Sequence, residues 1–132
     1  MATRQQVRQC VVSMLYAAQM GGDNGDFSEF LDEQKVKHSQ REWCFELYNG
    51  VRENCDKLDE MCDEFLETWK MEQVGIVERN ILRLGVFELA FTQTQSAIVI
   101  SQALWLANSL ANTPSVKMIN GVLDKVRIKL GK

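Results

Sequence analysis

Apolar residues recur at helical spacing through most of this 132-residue chain, and this periodicity constrains the fold more than any other feature. The first helix shows the i, i+3, i+4, i+7 spacing of an amphipathic helix at Val7, Cys10, Val11, Met14 and Ala18. No segment alternates with period two for long, and the only proline is Pro114. We therefore predict a single all-α domain spanning residues 1–132, with six to seven helices.

Turn and capping residues predict where these helices begin and end. The glycine-rich run at 21–25 should end the first helix. Ser39 and Glu42 have capping-box spacing, and Thr113 is expected to cap the last helix with Pro114 at its first position. The remaining predicted helices are 27–34, a long helix or helix pair from 39 to about 69 with a break near 49–50 or 54, 73–91 and 98–110, with loops at 92–95 and 111–112.

Residues that usually carry enzymatic or metal chemistry are few. The only histidine, His38, is expected in a solvated loop, and no nucleophile–base pattern is present. The four cysteines lack the C-x-x-C spacing of a zinc site, and three fall on an apolar helical stripe, which is typical of core thiols in a reducing compartment. The acids at 56–67 lack Glu-x-x-His partners and are interpreted as a solvated face. We therefore expect no enzyme, catalytic residue, metal or cofactor.

Charge is distributed unevenly along the chain, although the net charge is only −3. Residues 1–22 carry two arginines and no acid, residues 23–72 carry 15 acids and 6 bases, and residues 73–132 carry 3 acids and 7 bases. If the two ends of the chain meet in space, an acidic protein can still present a basic face. The chain shows no secretory signal and no purely apolar stretch of the roughly 18 residues that a membrane helix needs, so we expect a cytoplasmic protein without membrane contact.

Two helices carry arginines at spacings that suit RNA. Arg4, Arg8, Val12 and Tyr16 lie at successive i+4 steps opposite the apolar face of the first helix, where guanidinium groups could bind phosphate and the ring a base. Arg79, Asn80 and Arg83 share an arc of the 73–91 helix, which is interpreted as its exposed face. A solvated face, or surface arginines paired with nearby acids, explains each pattern about equally well.

A second candidate surface lies in the uncharged run of 28 residues from Leu89 to Val116. Trp105 falls opposite the apolar arc of the predicted 98–110 helix, with the neutral polar residues Gln102 and Ser109 beside it. An aromatic residue among uncharged groups is typical of the centre of a protein interface. We expect this face to form a homodimer or a partner contact, and the alternative is a tryptophan lying flat over a neighbouring loop.

Four stretches of the chain resemble the NusB family of transcription antitermination factors. The most distinctive is VERNILRLGVFEL at 77–89, and the others are ATRQQVRQCVVSMLY at 2–16, AIVI at 97–100 and SVKMINGVLD at 115–124. The resemblance covers nearly the whole chain in order. It implies a NusB-like fold of two packed three-helix subdomains and a non-enzymatic, RNA-binding role.

The resemblance also implies partners and a binding face. The family binds boxA-type single-stranded RNA of rRNA leader transcripts together with ribosomal protein NusE, and acts on the RNA polymerase elongation complex with other Nus factors. Carried over by position, its RNA-binding residues would be Arg4, Arg8, Tyr16, Glu78, Arg79, Arg83, Lys117, Met118 and Asn120.

The chain departs from the family pattern at three places, one of which is Gln95, where the family has a loop proline. Met118 stands where the family usually has an aromatic residue, and Ser101 to Asn108 lack two acids and a lysine usual in the family. These departures leave open an alternative function, a helical protein-interaction module of the same fold that has lost RNA binding.

Overall fold

The computed structural model describes residues 1–21 and 26–132, and within them every regular element is a helix. These residues form seven α-helices: α1 (Arg4–Gln19), α2 (Ser28–Glu33), α3 (His38–Glu53), α4 (Cys55–Asp63), α5 (Ile76–Phe91), α6 (Ser96–Leu110) and α7 (Thr113–Lys129). A single 3₁₀ turn, Met71–Gln73, precedes α5. The predicted all-α class and the number of helices are confirmed.

α1 begins with a reciprocal cap and is followed by a glycine. The Thr3 hydroxyl accepts a hydrogen bond from the Gln6 amide at 3.0 Å, and the Gln6 side chain accepts one from the Thr3 amide at 2.7 Å. After the helix, Gly21 adopts a φ of 71°, which favours glycine. Only Gly21 of the predicted glycine-rich stop can be assessed, because residues 22–25 lie outside the described residues.

The start of α3 differs from the sequence prediction. The helix begins at His38, so this residue lies on the helix and not in a loop, although it is exposed. The Lys37 amide donates to Gln40 Oε1 at 3.0 Å, and this bond replaces the predicted capping box of Ser39 and Glu42. The Gln40 side chain thus satisfies an otherwise unpaired amide at the N-terminus of the helix. The helix therefore begins one residue before the predicted start.

The break after α3 falls at Asn54, one of the two predicted positions. The Asn54 side-chain amide donates to the Gly50 carbonyl at 2.8 Å and so satisfies an acceptor at the end of the helix. α4 then ends at Asp63, and the prediction that it continues to Trp69 is wrong. The cause is a bond across the next turn, in which Asp63 Oδ1 accepts from the Met71 amide at 2.6 Å.

The predicted cap of α7 is also wrong by one residue. Asn112 has extended backbone angles, and its Oδ1 accepts from the Ser115 amide at 3.0 Å. Asparagine is a strong N-cap, so Thr113 becomes the first residue of the helix, with Pro114 in the first turn as expected. α5 begins at Ile76, three residues later than predicted, because the 3₁₀ turn intervenes.

α5 is the central helix of the molecule. It packs against α1 and α3 on one side and against α4, α6 and α7 on the other, while α6 and α7 also pack on each other. This arrangement gives the two packed three-helix subdomains. Its consequence is visible in α5 itself, because every residue from Asn80 to Leu89 is buried.

The thiols behave as core residues, as predicted. Cys10, Cys44 and Cys62 are buried, and Cys55 is half-buried. Burial raises the pKa of the Cys44 and Cys62 thiols to about 12. Within residues 1–21 and 26–132, no group of three or more His, Cys, Asp or Glu side chains could hold a metal ion. None of the described helices has the length and apolar character needed to cross a membrane.

Candidate nucleic-acid interface

Arg8 is buried in an ion pair between α1 and α5. Its Nε and Nη2 atoms donate to the two carboxylate oxygens of Glu88 at 2.9 and 2.8 Å, and only 2% of the residue is exposed. The expectation that the arginine stripe of α1 is solvent-exposed is therefore wrong at its centre, where Val12 is buried as well. The physical reason is the carboxylate of Glu88, which neutralises the guanidinium inside the protein.

The ring of Trp43 on α3 contacts both the buried Arg8 and the exposed Arg4. The guanidinium carbon of Arg8 lies 5.1 Å from the centre of the Trp43 ring, and that of the exposed Arg4 lies 5.3 Å from it. Cation–π contacts of this kind help to orient both guanidinium groups, of which only that of Arg4 belongs to an exposed residue. The sequence did not single out Trp43, because its neighbours on α1 are set by tertiary packing.

Arg83 is also held inside the protein. Its Nε and Nη2 atoms donate to the carboxylate of Asp59 on α4, both at 2.7 Å. Burial alone would lower the pKa of Arg83, but the hydrogen bonds and negative charge of Asp59 raise it above its ordinary value. The buried Asn80 exchanges hydrogen bonds with the Gln19 side chain on α1. The predicted exposed arc of α5 is therefore wrong for Asn80 and Arg83, because other helices surround α5.

Arg79 and Tyr16 remain accessible. Arg79 is half-buried, and its Nη2 donates to the Val74 carbonyl at 2.9 Å, which fixes the side chain against the turn before α5. Tyr16 is 42% exposed on the C-terminal half of α1. A ring with this exposure is available for stacking.

An open cleft of about 430 Å³ lies between residues 64–75 and α7, and we call it the linker cleft. It brings together three of the predicted site residues, Glu78, Lys117 and Met118. The other side chains of its wall include Phe65, Leu66, Glu67, Trp69, Val74, Pro114, Ser115, Val122 and Lys125. Trp69 is 60% exposed and was missed by the sequence prediction, which assigned it to a helix end.

Polar contacts fix the two ends of the linker cleft. Glu78 Oε2 accepts from the Ser115 hydroxyl at 3.0 Å, which ties the start of α5 to the start of α7. Lys125 lies 3.7 Å from Glu67, and both side chains are largely exposed. Asn120 is not part of this cleft, since it lies in a separate depression beside α6.

The predicted protein-contact residues lie on one exposed face of α6. Trp105 is 36% exposed, Ser109 is exposed and Gln102 is half-buried. Ile98, two turns before Trp105, is exposed on the same side. The Oε1 atom of Gln102 is buried and has no hydrogen-bond partner among the described residues. We call these four residues the neutral face.

Sequence comparison decides the family of this chain. The profile of the NusB family matches residues 5–127. The chain belongs to the NusB family. It is 53% identical over 127 residues to the transcription antitermination protein NusB of Campylobacter fetus subsp. fetus (strain 82-40), covering 96% of this chain and 97% of that protein. It is 50% identical, with the same coverage of this chain, to NusB of Campylobacter lari.

Solved NusB structures share the fold. NusB of T. maritima superposes with a TM-score of 0.84 at 26% identity, covering 98% of this chain and 94% of that chain. A NusB crystallised with NusE and dsRNA superposes with a TM-score of 0.84 at 28% identity, covering 96% of both chains. NusB is a family of non-enzymatic transcription antitermination factors, in agreement with the expected absence of enzyme activity.

Proposed function

We propose that this protein binds boxA-type single-stranded RNA of rRNA leader transcripts together with ribosomal protein NusE. In this proposal it acts on the elongating RNA polymerase with other Nus factors, in the cytoplasm of a bacterium. The observation that carries the proposal is the likeness, over 96% of both chains, to a NusB crystallised with NusE and dsRNA.

The exposed members of the predicted set would touch the RNA. Arg4 and Lys117 carry free positive charge for phosphates, and Tyr16 offers a ring for a base. The buried Arg8 and Arg83 would act indirectly, because their ion pairs hold α1 and α4 against α5 and so fix the surface. Glu78, Arg79 and Met118 would contribute from the linker cleft and its edge, and Asn120 stays a prediction.

Salt dependence of RNA binding tests the proposal. We expect the chain to bind a labelled boxA-type RNA with an affinity that falls as salt rises, because phosphate contacts release counterions. Arg4→Ala should lower the slope of log K against log salt by roughly 0.7, the value for one phosphate contact on a single strand.

Arg52→Ala is the matched control, since Arg52 is also an exposed arginine, with its guanidinium carbon 5.3 Å from the centre of the Tyr48 ring. It lies on α3 in the acidic part of the chain and should leave the slope unchanged. Equal slopes for the wild type and Arg4→Ala would contradict the assignment of Arg4.

A second candidate function follows from the two buried ion pairs. Because Arg8 and Arg83 form ion pairs inside the protein, the chain has fewer free cations for RNA phosphates than the resemblance to the family predicts. A protein-interaction module that has lost RNA binding would capture NusE and show no salt-dependent RNA binding. Titrating the RNA with and without NusE therefore separates the two functions.

A further inference from the structure

The linker cleft contains an exposed aromatic ring on an anchored turn. Trp69 lies in the non-helical segment after α4, where the Asp63 carboxylate accepts from the Met71 amide at 2.6 Å. The Lys70 ammonium group donates to the carbonyls of Asp63 and Leu66 at 2.8 and 3.1 Å. These bonds anchor the turn that carries Trp69, and the residue itself is 60% exposed to solvent.

Met118 faces the same cleft from α7. It occupies the position where the resemblance to the family led us to expect an aromatic residue, and it is half-buried among the apolar residues of the wall. A thioether packs well against a flat ring. The cleft therefore offers one aromatic surface from the linker and one polarizable side chain from the helix.

The two lysines of the cleft are exposed, whereas the carboxylate of Glu78 is half-buried. Lys117 is exposed, and among the described residues it forms no ion pair or hydrogen bond. Lys125 makes a long contact with Glu67 at 3.7 Å. Glu78 is half-buried in the cleft and keeps one carboxylate oxygen, Oε1, beyond its bond to Ser115. This carboxylate would repel a phosphate inside the cleft. A neutral base, in contrast, could donate an N–H hydrogen bond to it.

We propose that the linker cleft binds one unpaired base of the RNA, which stacks on Trp69 and contacts Met118, with the adjoining phosphates at Lys117 and Lys125. This inference rests on the proposed RNA-binding function and adds a base site to it. Trp69 then supplies the stacking surface that position 118 lacks. A base fits better than a peptide segment, because the site combines one flat ring, an acceptor and two flanking cations.

Substitution of Trp69 tests the stacking contact. Trp69→Ala should weaken binding of a short boxA-type single-stranded RNA by roughly 5- to 100-fold, and Trp69→Phe should keep most of the affinity. Ile128→Ala is the matched control, because Ile128 is a large apolar residue with the same 60% exposure and lies outside the cleft. It should bind RNA as the wild type does.

Gly121 allows the cleft to be filled without disturbing the fold. It lies in the cleft wall on α7, and a Cβ atom there would meet nothing within 4 Å. Gly121→Leu should therefore retain the wild-type melting temperature or exceed it, while it weakens RNA binding as much as Trp69→Ala. Tryptophan emission gives an independent reading, since RNA should quench the emission of the wild type and should quench that of Trp69→Phe less.

Three results would overturn the base site. If Trp69→Ala and Gly121→Leu bind RNA as the wild type does while Arg4→Ala is weakened, the RNA-binding function stands and the base site is wrong. If the two variants lose NusE capture but keep RNA affinity, the cleft holds a protein partner instead. If the wild type binds no RNA with or without NusE, the proposed function fails and the base site fails with it.

Discussion

Arg8 and Glu88 place a full positive and a full negative charge in the interior, 80 residues apart in sequence. Removing two ions from water is costly, and the bidentate geometry offsets that cost only while both partners are present. The ring of Trp43 covers the guanidinium and excludes further water. The role of this pair is therefore to fix the contact between α1 and α5.

We expect Arg8→Ala to reduce the free energy of unfolding by about 3–5 kcal/mol, because it leaves the Glu88 carboxylate buried without a partner. Urea denaturation followed by circular dichroism measures this change. The double variant Arg8→Met with Glu88→Leu removes both charges and should lie much closer to the wild type. A single variant within about 1 kcal/mol of the wild type would show that water or another cation replaces the arginine.

The buried thiols make stability depend on pH in the alkaline range. The pKa of Cys44 and Cys62 is about 12 in the folded chain, against an ordinary value of 9.0. Between these values the unfolded chain loses protons that the folded chain keeps, so the free energy of unfolding falls as pH rises. The contribution of each thiol is complete below pH 9 and decreases by up to about 1.4 kcal/mol per pH unit above it.

Comparison with Cys62→Ala isolates one of these thiols. Its free energy of unfolding should fall less steeply than that of the wild type between pH 9 and the pH at which the fold is lost. Parallel curves for the two proteins would mean that the Cys62 thiol ionises as readily in the folded chain as in the unfolded one.

At the scale of helices, the sequence predicted what local chemistry decides and missed what distant contacts decide. The break at Asn54 was predictable, because the asparagine side chain donates to a carbonyl four residues earlier. The end of α4 was not predictable, because the apolar spacing continues through Phe65. The bond at the end of this helix joins Asp63 to Met71, eight residues later. The same limit hid Trp69, whose place in the cleft depends on that turn.

The candidate site was predictable in part for the same reason. Resemblance indicated Glu78, Lys117 and Met118, and the structure brings these three together in the linker cleft. Helical spacing also put Arg8 and Arg83 on arcs that should face water. Their carboxylate partners come from other helices, and no pattern along the sequence pairs them.

The contact between α3 and α5 depends on the absence of a side chain at Gly50. A Cβ atom there would lie 2.2 Å from Cζ of Phe87, with two further ring carbons within 3.0 Å. Because the ring moves as one plane and stacks on Phe91, it cannot yield without displacing its neighbour. We expect Gly50→Ala to destabilise the protein by about 1–3 kcal/mol in thermal or urea unfolding.

Gly121→Ala is the matched control for this prediction. It also lies inside a helix, but its Cβ would meet nothing, so the gain in helix propensity should stabilise the protein by up to about 1 kcal/mol. If both alanine variants were stabilised, Phe87 must be able to move aside and the close contact would not set the helix spacing.

At the scale of the whole molecule, the charge pattern separates three surfaces. The acids are concentrated at 23–72, the exposed Arg4 and Lys117 lie on α1 and α7, and the neutral face on α6 carries no charge. In a two-fold dimer, residues near the axis meet their own copies, so an uncharged face avoids repulsion there. The neutral face is therefore suited to self-association or to an uncharged partner surface.

We expect Trp105→Glu to leave the helical circular dichroism spectrum unchanged and to shift the protein toward monomer, or to abolish NusE capture. Sedimentation velocity and a pull-down with NusE measure the two effects. Ile128→Glu adds the same charge at an exposed apolar position outside this face and should change neither. A wild type that is already monomeric, together with unchanged NusE capture by Trp105→Glu, would refute the role of the neutral face.

The central position of α5 has a consequence for how the protein opens. Since α5 packs against helices of both subdomains, neither subdomain can separate without exposing buried residues of this helix. Amide protons in its middle, around Leu84, should therefore exchange with deuterium only when the entire chain unfolds. Their exchange rates would report the global free energy of unfolding, while those of α2 and of the linker at 64–75 would report smaller, local openings.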